Sequence, residues 1–334
     1  MKTKIVYAVT SDETDLYLEQ TLVSVYSLRL YNPEARVVLI VDNKTNDTLI
    51  GKRAKILEYI SDKVVVNIPA KYTKKERSRY LKTTIRQHIE GAYLFIDSDT
   101  IITDNLSDID NLLDKGIDIA AVKDSHCGFK DMLNYKLILS RAHTIGWDKH
   151  LRKDVIHFNS GVMFINDSNL ANKFYEKWHN NWLYECDKGI CYDQLAMAYT
   201  NQQLNYPIYE IDGIWNCQIY QDGIRYLSNA KIIHYFSGLV TENSYYFHNI
   251  KVFTDIKETG YISPESIFWI KNGKGAFIGH HRVCNNLEIC FISSYTYKLY
   301  IHFHTLFVTI DSAVGLLYKL YHILSKQKKI TLYL

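Results

Sequence analysis

Two aspartates, Asp97 and Asp99, stand directly after the apolar run Ala92-Tyr93-Leu94-Phe95-Ile96, with Ser98 between them. A short continuous apolar run predicts a strand buried on both faces, as in the parallel core of an α/β domain. Side chains two apart on a strand point the same way, so the carboxylates are expected to converge at the strand's carboxyl end. Open α/β sheets bind their ligands at that end. Convergent carboxylates repel each other, and a divalent cation is the usual relief. An isolated Asp-x-Asp is commonplace and more often marks an ordinary turn. The surrounding chain decides between the two readings.

The elements that must position this pair follow in order. Residues 5–9 predict a first strand, running into the polar turn Thr10-Ser11-Asp12-Glu13, which suits a helix N-cap. Apolar residues recur at helical spacing over 16–30, and Tyr31-Asn32-Pro33 stops that helix. A second strand is expected over 37–41, a second amphipathic helix over 48–60 and a third strand over 64–66. This β-α-β-α-β alternation predicts a mostly parallel sheet covered on both faces. A helix over 76–89 then carries Arg79, Lys82 and Arg86 on one face. Such stripes are most often merely solvated. Their place one element before the acidic pair favours an anionic ligand for at least one of them.

Further strands are expected over 116–122, 157–166 and 231–238, the last ending in His234 and a small-residue turn. Residues 123–154 are mixed and are expected to wall a cleft. A helix over 168–184 carries Trp178 and Trp182 four apart, a spacing that reads as packing. A further helix runs from about 189 to 199 and includes Asp193 and Gln194.

Composition bounds the rest. The chain has 334 residues, 47% hydrophobic and 22% charged, enough to bury a large core. A net charge of +3 is too weak to point to nucleic acid. None of the six cysteines forms a Cys-x-x-Cys pair, so all are expected to be reduced thiols. The apolar run after Lys4 is too short for a signal peptide, and no window offers the apolar length of a membrane span. The expected location is cytoplasmic, with peripheral attachment to the inner face of the cell membrane as a further option. Beyond residue 245 the α/β rhythm fades. From Lys298 onward five lysines face one aspartate, a net charge of +4, among Tyr297, Tyr300, Phe303, Phe307 and Leu316. Aromatic and basic residues together suit an anionic membrane surface, and docking on the core or on another subunit is the alternative. The expected organisation is therefore a catalytic domain over 1–250 and a helical, aromatic and basic extension over 251–334.

Taken in order, the Thr10 turn, Asp97-Ser98-Asp99, Asn159-Ser160-Gly161, Asp193-Gln194 and His234-Tyr235-Phe236-Ser237-Gly238 carry a resemblance. Residues 4–240 resemble the family 8 retaining glycosyltransferases, the class that includes glycogenin and bacterial lipopolysaccharide galactosyl- and glucosyltransferases. The resemblance implies an α/β GT-A fold with a Rossmann-like, mostly parallel mixed sheet. It implies a UDP-sugar donor and Mn²⁺, with Mg²⁺ as the alternative. By position, Asp97, Asp99 and His234 match the metal ligands. Ala8, Val9 and Thr10 match the uridine pocket, and Lys82, Ser98, Asn159, Ser160, Ser237 and Gly238 match other donor contacts. Asn159, Asp193 and Gln194 match the residues around the transferred sugar. The chain departs from the family at Thr10-Ser11-Asp12, where Asp or Asn is frequent, and at Lys82, where arginine is common. After Gly238 it lacks the family's Lys-Pro-Trp clamp, for which Lys271, Lys274 or His280 is the expected substitute. The implied activity moves glucose or galactose to a glycan, lipid-linked or protein acceptor in cell-envelope or surface glycan synthesis. The competing reading is a non-catalytic nucleotide-sugar-binding or membrane scaffold protein. A dinucleotide dehydrogenase is disfavoured because no Gly-x-Gly-x-x-Gly follows the first strand. A metal-dependent phosphoryl hydrolase leaves the later segments unexplained.

Overall fold

A computed structural model describes residues 1–149, 156–219, 221–236, 245–277 and 295–325. The chain divides into two compact units, Met1–Arg282 and Val283–Leu334. The boundary expected at residue 250 therefore lies too early. Helices Ile250–Thr259 and Pro264–Lys271 bury Val252, Phe253, Ile256 and Ile270 in the core of the first unit.

The first unit is built on seven strands: β1 (Lys4–Val9), β2 (Val37–Asp42), β3 (Asp62–Val66), β4 (Tyr93–Ile96), β6 (Ile119–Lys123), β7 (Phe158–Ile165) and β8 (Ile208–Glu210). Their order is β3-β2-β1-β4-β7-β6-β8. All pairs are parallel except the two that β7 makes with β4 and β6. Alternate residues feed opposite faces, as strand geometry demands. Ile5, Tyr7, Leu39, Leu94 and Ile96 enter one core, and Val6, Val38, Ile40, Tyr93 and Phe95 the other. Helix α1 (Tyr17–Tyr31) covers the first face with Leu18, Leu22, Val25 and Leu28. Helices α2 (Lys74–Thr83), α3 (Asn169–Asp187) and α4 (Asp193–Gln203) cover the second, where Leu81, Phe174, Trp178, Trp182 and Leu195 pack. Trp178 and Trp182 are both fully buried, as their spacing suggested.

A second sheet, β5-β10-β9, joins β5 (Thr100–Ile102), β9 (Cys217–Gln218) and β10 (Ile232–His234). β10 runs antiparallel to β5, pairing His234 with Thr100. This pairing carries a histidine 135 positions down the chain to the acidic turn.

Three elements differ from their sequence expectation. The helix expected over 48–60 is a short helix at Asn43–Asp47, capped by Asp42, then a 3-10 turn at Gly51–Glu58. Gly51 has φ +54°, a left-handed conformation that interrupts any continuous helix. The helix expected over 76–89 ends at Thr83, with one more turn at Ile85–His88. There Thr83 and Thr84 hydroxyls donate back to the carbonyls of Arg79, Tyr80 and Leu81 and compete with helical propagation. Finally, β4 stops at Ile96, so Asp97, Ser98 and Asp99 form a turn between β4 and β5 rather than the end of a strand.

The second unit contains two described helices, α7 (Tyr295–His302) and α8 (His304–Ser325), following α5 (Ile250–Thr259) and α6 (Pro264–Lys271) of the first. Leu306, Val314, Leu316, Leu317, Tyr318 and Leu320 of α8 are all exposed. No helix among the described residues is long and apolar enough to cross a membrane.

Candidate functional site

The acidic turn is held by its neighbours on both sides. The Asp97 amide donates to the Gly161 carbonyl of β7 (2.7 Å), and the Tyr235 amide to the Asp99 carbonyl (3.0 Å). Thr21 of α1 donates to the Ser98 hydroxyl at 2.8 Å. These bonds turn both carboxylates toward His234, whose Nε2 lies 3.2 Å from Asp99 Oδ1. One donor atom from each of Asp97, Asp99 and His234 falls within a 4.8 Å cluster. The His234 ring is buried, stacked on Phe236, and its Nδ1 is paired with Asn216 Oδ1 at 3.2 Å. A proton donated from Nδ1 to that partner would leave Nε2, the atom that faces the acids, to ligate a cation. Gly161 makes room for the ring, since a Cβ there would sit 2.4 Å from His234 Cε1.

The donor set fits a hard divalent cation. Two carboxylates and one imidazole suit Mn²⁺, with open positions left for further oxygens. Burial pushes the Asp97 carboxyl above its ordinary range, and the like charge of Asp99 adds to this against the pull of Lys82. A cation at this point would remove that penalty.

The triad opens onto a cavity of about 590 Å³ at the carboxyl end of β1, lined by Ala8, Val9, Thr10, Lys82, Ser98 and both aspartates. Seven residues expected from sequence to hold a nucleotide sugar thus share one wall. Thr10 and Ser11 are buried, and the Ser11 amide donates to Thr45 Oγ1 at 2.8 Å.

A second group of charges lies beside it. Lys82 Nζ is 3.0 Å from Asp97 Oδ2 and 3.4 Å from Asp193 Oδ2, bridging the two acids. Arg79 Nε reaches Asp193 Oδ1 at 3.1 Å, and Ser160 donates to Asp193 Oδ2 at 2.8 Å. Burial alone would raise the Asp193 carboxyl, but Lys82, Arg79 and Ser160 together hold it well below the usual carboxylate range. Asp193 is therefore a fixed anion, the first residue of α4, with Trp178 Nε1 donating to its carbonyl at 2.8 Å. The basic stripe on α2 is divided by the fold. Arg79 and Lys82 face the acids, whereas Arg86 turns to Asp167 and the Gly91 carbonyl.

Asn159 and Gln194 meet through a residue that the sequence did not single out, Asp124. Asn159 Nδ2 donates to Asp124 Oδ1 (3.0 Å) and Gln194 Nε2 to Asp124 Oδ2 (3.2 Å). Asn159 Oδ1 accepts from the Gly161 amide and from Asn216 Nδ2, both at 2.9 Å, which ties this network to His234. With its NH₂ committed to Asp124, Gln194 has its carbonyl oxygen to offer a substrate. Asp124 precedes Ser125 and His126, at φ +55° and +54°, an elbow that Gln218 holds by accepting from the Ser125 amide. Backbone strain of this kind clusters at working sites. The only signal for Asp124 in the sequence is a strand ending in an acid, which many turns share.

Ser237, Gly238 and His280 lie outside the described residues. Lys271 and Lys274 do not line the cavity, and Lys274 Nζ donates to the Ser228 carbonyl at 2.9 Å. The expected lysine substitute for the diphosphate clamp is not seen there. The cysteines also depart from expectation, since Cys186 and Cys191 are joined as a disulfide.

No protein-family model and no curated protein matches the chain. Solved structures do. One is the galactosyltransferase LgtC in complex with donor and acceptor sugar analogues, at TM-score 0.50 and 17% identity, over 81% of this chain and 100% of that one. Another is the bifunctional glycosyltransferase WbbM in its apo form, at TM-score 0.50 and 15% identity. That match spans 81% of this chain but only 51% of WbbM, about half its length. Mouse xyloside xylosyltransferase 1 is similar at TM-score 0.48 and 16% identity, over 70% of this chain and 97% of that one. At such identities the likeness to LgtC and WbbM establishes the fold, the α/β GT-A arrangement of glycosyltransferases.

Proposed function

We propose that this protein is a metal-dependent retaining glycosyltransferase that moves a hexose, glucose or galactose, from a UDP-sugar to a glycan, lipid-linked or protein acceptor. The observation that carries the reading is the convergence of Asp97, Asp99 and His234 at the mouth of a cavity lined by the end of β1. In GT-A folds this is the place for a nucleotide diphosphate, and LgtC, of the same fold, was solved with donor and acceptor sugar analogues. Mn²⁺ held by the triad would neutralise the leaving diphosphate as a Lewis acid.

The chain's own residues supply the rest. Lys82, tied to Asp97 and Asp193, brings positive charge to the diphosphate side, as a point charge rather than a bidentate fork. Arg79 and Ser160 fix Asp193, whose negative charge would stabilise positive charge growing on the sugar ring as its C1–O bond loosens. Three polar partners make Asp193 an electrostatic group rather than a free nucleophile. Asp124 orients Gln194 so that its carbonyl oxygen can serve the same cation from the sugar side. Retention then comes from attack on the face that the diphosphate leaves.

The second unit supports a further element of this reading. Its two helices expose Tyr295, Leu306, Leu316 and Leu317, and lysines outnumber acids there. Such helices suit the interface of an anionic membrane, where a lipid-linked or cell-envelope acceptor would be met. Incubation with a panel of UDP-hexoses and Mn²⁺ tests the activity by release of UDP. Asp99→Asn is expected to lower the rate roughly 10³-fold with the melting temperature unchanged. Wild-type turnover in that variant would refute the metal role.

A further inference from the structure

The described residues hold a second cluster of metal-capable side chains, Glu76, Cys186 and Cys191, whose ligand atoms also lie within 4.8 Å of one another. Cys186 is in the last turn of α3, Cys191 in the connection to α4, and Glu76 in the first turn of α2. The connection folds back tightly. The Gly189 amide donates to the Cys186 carbonyl and the Ile190 amide to the Glu185 carbonyl, with Gly189 at φ +78°. Two cysteines five positions apart are thereby brought face to face. Glu76 is oriented by its own helix, since Oε2 accepts from the Thr73 amide at 2.7 Å in a capping box. Its other oxygen, Oε1, lies 3.7 Å from Cys191 Sγ.

We propose that Glu76, Cys186 and Cys191 form a site for a thiophilic divalent cation, Zn²⁺, which is filled when the two sulfurs are reduced and closed when they form the disulfide. Two thiolates and a carboxylate are a zinc donor set, with water completing the tetrahedron. Zn–S and Zn–O bonds of about 2.3 and 2.1 Å at the tetrahedral angle separate sulfur and oxygen by about 3.6 Å. In the closed state Cys191 Sγ already lies 3.7 Å from Glu76 Oε1, so filling the site requires that reduction part the two sulfurs to the roughly 3.8 Å of a pair of zinc thiolates. The carboxylate is already oriented through its second oxygen, as good ligands are. The acidic centre, with oxygen and nitrogen donors only, selects a different metal.

The exchange balances. A phosphine reductant gives two electrons to the disulfide and, with water, becomes the phosphine oxide, leaving two thiols. Zinc binding then releases both thiol protons. The ion would tie α2 to the α3–α4 connection behind the Arg79–Asp193 pair, since Arg79 follows Glu76 by three residues and Asp193 follows Cys191 by two.

The test uses the full chain, reduced with a phosphine and titrated with Co²⁺, then Zn²⁺. Stoichiometric thiolate-to-cobalt charge-transfer absorption, displaced by Zn²⁺, is expected for the reduced protein and none for the oxidised one. Glu76→Gln keeps the capping box, because Gln also serves at that position, and should weaken Zn²⁺ roughly tenfold or more. Asp99→Asn should leave the absorption unchanged, so this proposal and the transferase reading fail separately. No charge-transfer band in the reduced wild type would overturn the site. So would an equal band in Cys186→Ser/Cys191→Ser, or unchanged affinity in Glu76→Gln.

Discussion

The two units treat apolar residues in opposite ways. In the first, the strand residues Ile5, Val6, Leu39, Ile40, Leu94 and Phe95 are all buried, and Asn159 and Ser160 of β7 pair with Asp124 and Asp193. In the second, Leu316, Leu317 and Tyr318 are 61%, 64% and 63% exposed. Each fully buried side chain of this size contributes about 1.5–3 kcal/mol, which the second unit's residues forgo unless another surface covers them. The first unit uses its apolar residues to hold a charged site in a fixed geometry. The described helices of the second unit leave such residues exposed.

The largest expected effect separates the units outright. A chain ending at residue 294 should lose co-sedimentation with anionic lipid vesicles yet release UDP from a UDP-hexose at the full-length rate. Vesicle binding that survives the deletion would place the docking surface in the first unit. The next effect strikes the scaffold beneath the metal centre. Gly161→Ala puts a methyl into the His234 ring, and a displacement of about 1 Å should weaken Mn²⁺-dependent UDP binding roughly 100-fold. Its stability should fall by about 1–3 kcal/mol from overpacking. Unchanged affinity would show that His234 is not held where the triad needs it.

The smallest effect reads a buried acid. Burial pushes the Glu185 carboxyl up to about 9, though it accepts from the Tyr192 amide at 2.6 Å. Its folded pKa exceeds the unfolded value of about 4.3, so the folded state binds the extra proton between these two. Stability should therefore fall as pH rises from about 4.5 toward 9. Glu185→Gln, which keeps the acceptor for Tyr192, should flatten that slope and gain about 1–3 kcal/mol at pH 7. Chemical denaturation across this pH range measures it, and parallel curves for variant and wild type would contradict the assignment.

Much of this architecture was legible because it rests on local patterns. Continuous apolar runs marked β1, β2, β4 and β7, and their alternation with helical segments marked a parallel sheet. Ser168 was expected to open the tryptophan helix, and it caps α3 by accepting from the Ala171 amide. The ordered set of motifs brought Asp97, Asp99, His234, Asp193 and Asn159 forward. What stayed hidden depends on long-range pairing. Asp124 works through side chains 35 and 70 positions away, and Asn216 through His234 in an adjacent strand. The break in the helix expected over 76–89 came from threonine hydroxyls that satisfy the backbone locally, which apolar periodicity does not register. The Cys186–Cys191 pairing came from a backbone reversal at Gly189 rather than from a recognised spacing.

The central claim is that Asp97, Asp99 and His234 hold a metal that in turn holds a nucleotide diphosphate. Calorimetric titration of UDP into the purified protein, with Mn²⁺ and then with EDTA, tests it most directly. Binding that requires Mn²⁺ and disappears in Asp99→Ala is the predicted result. UDP binding that is equally strong in EDTA, or absent under both conditions, would contradict it.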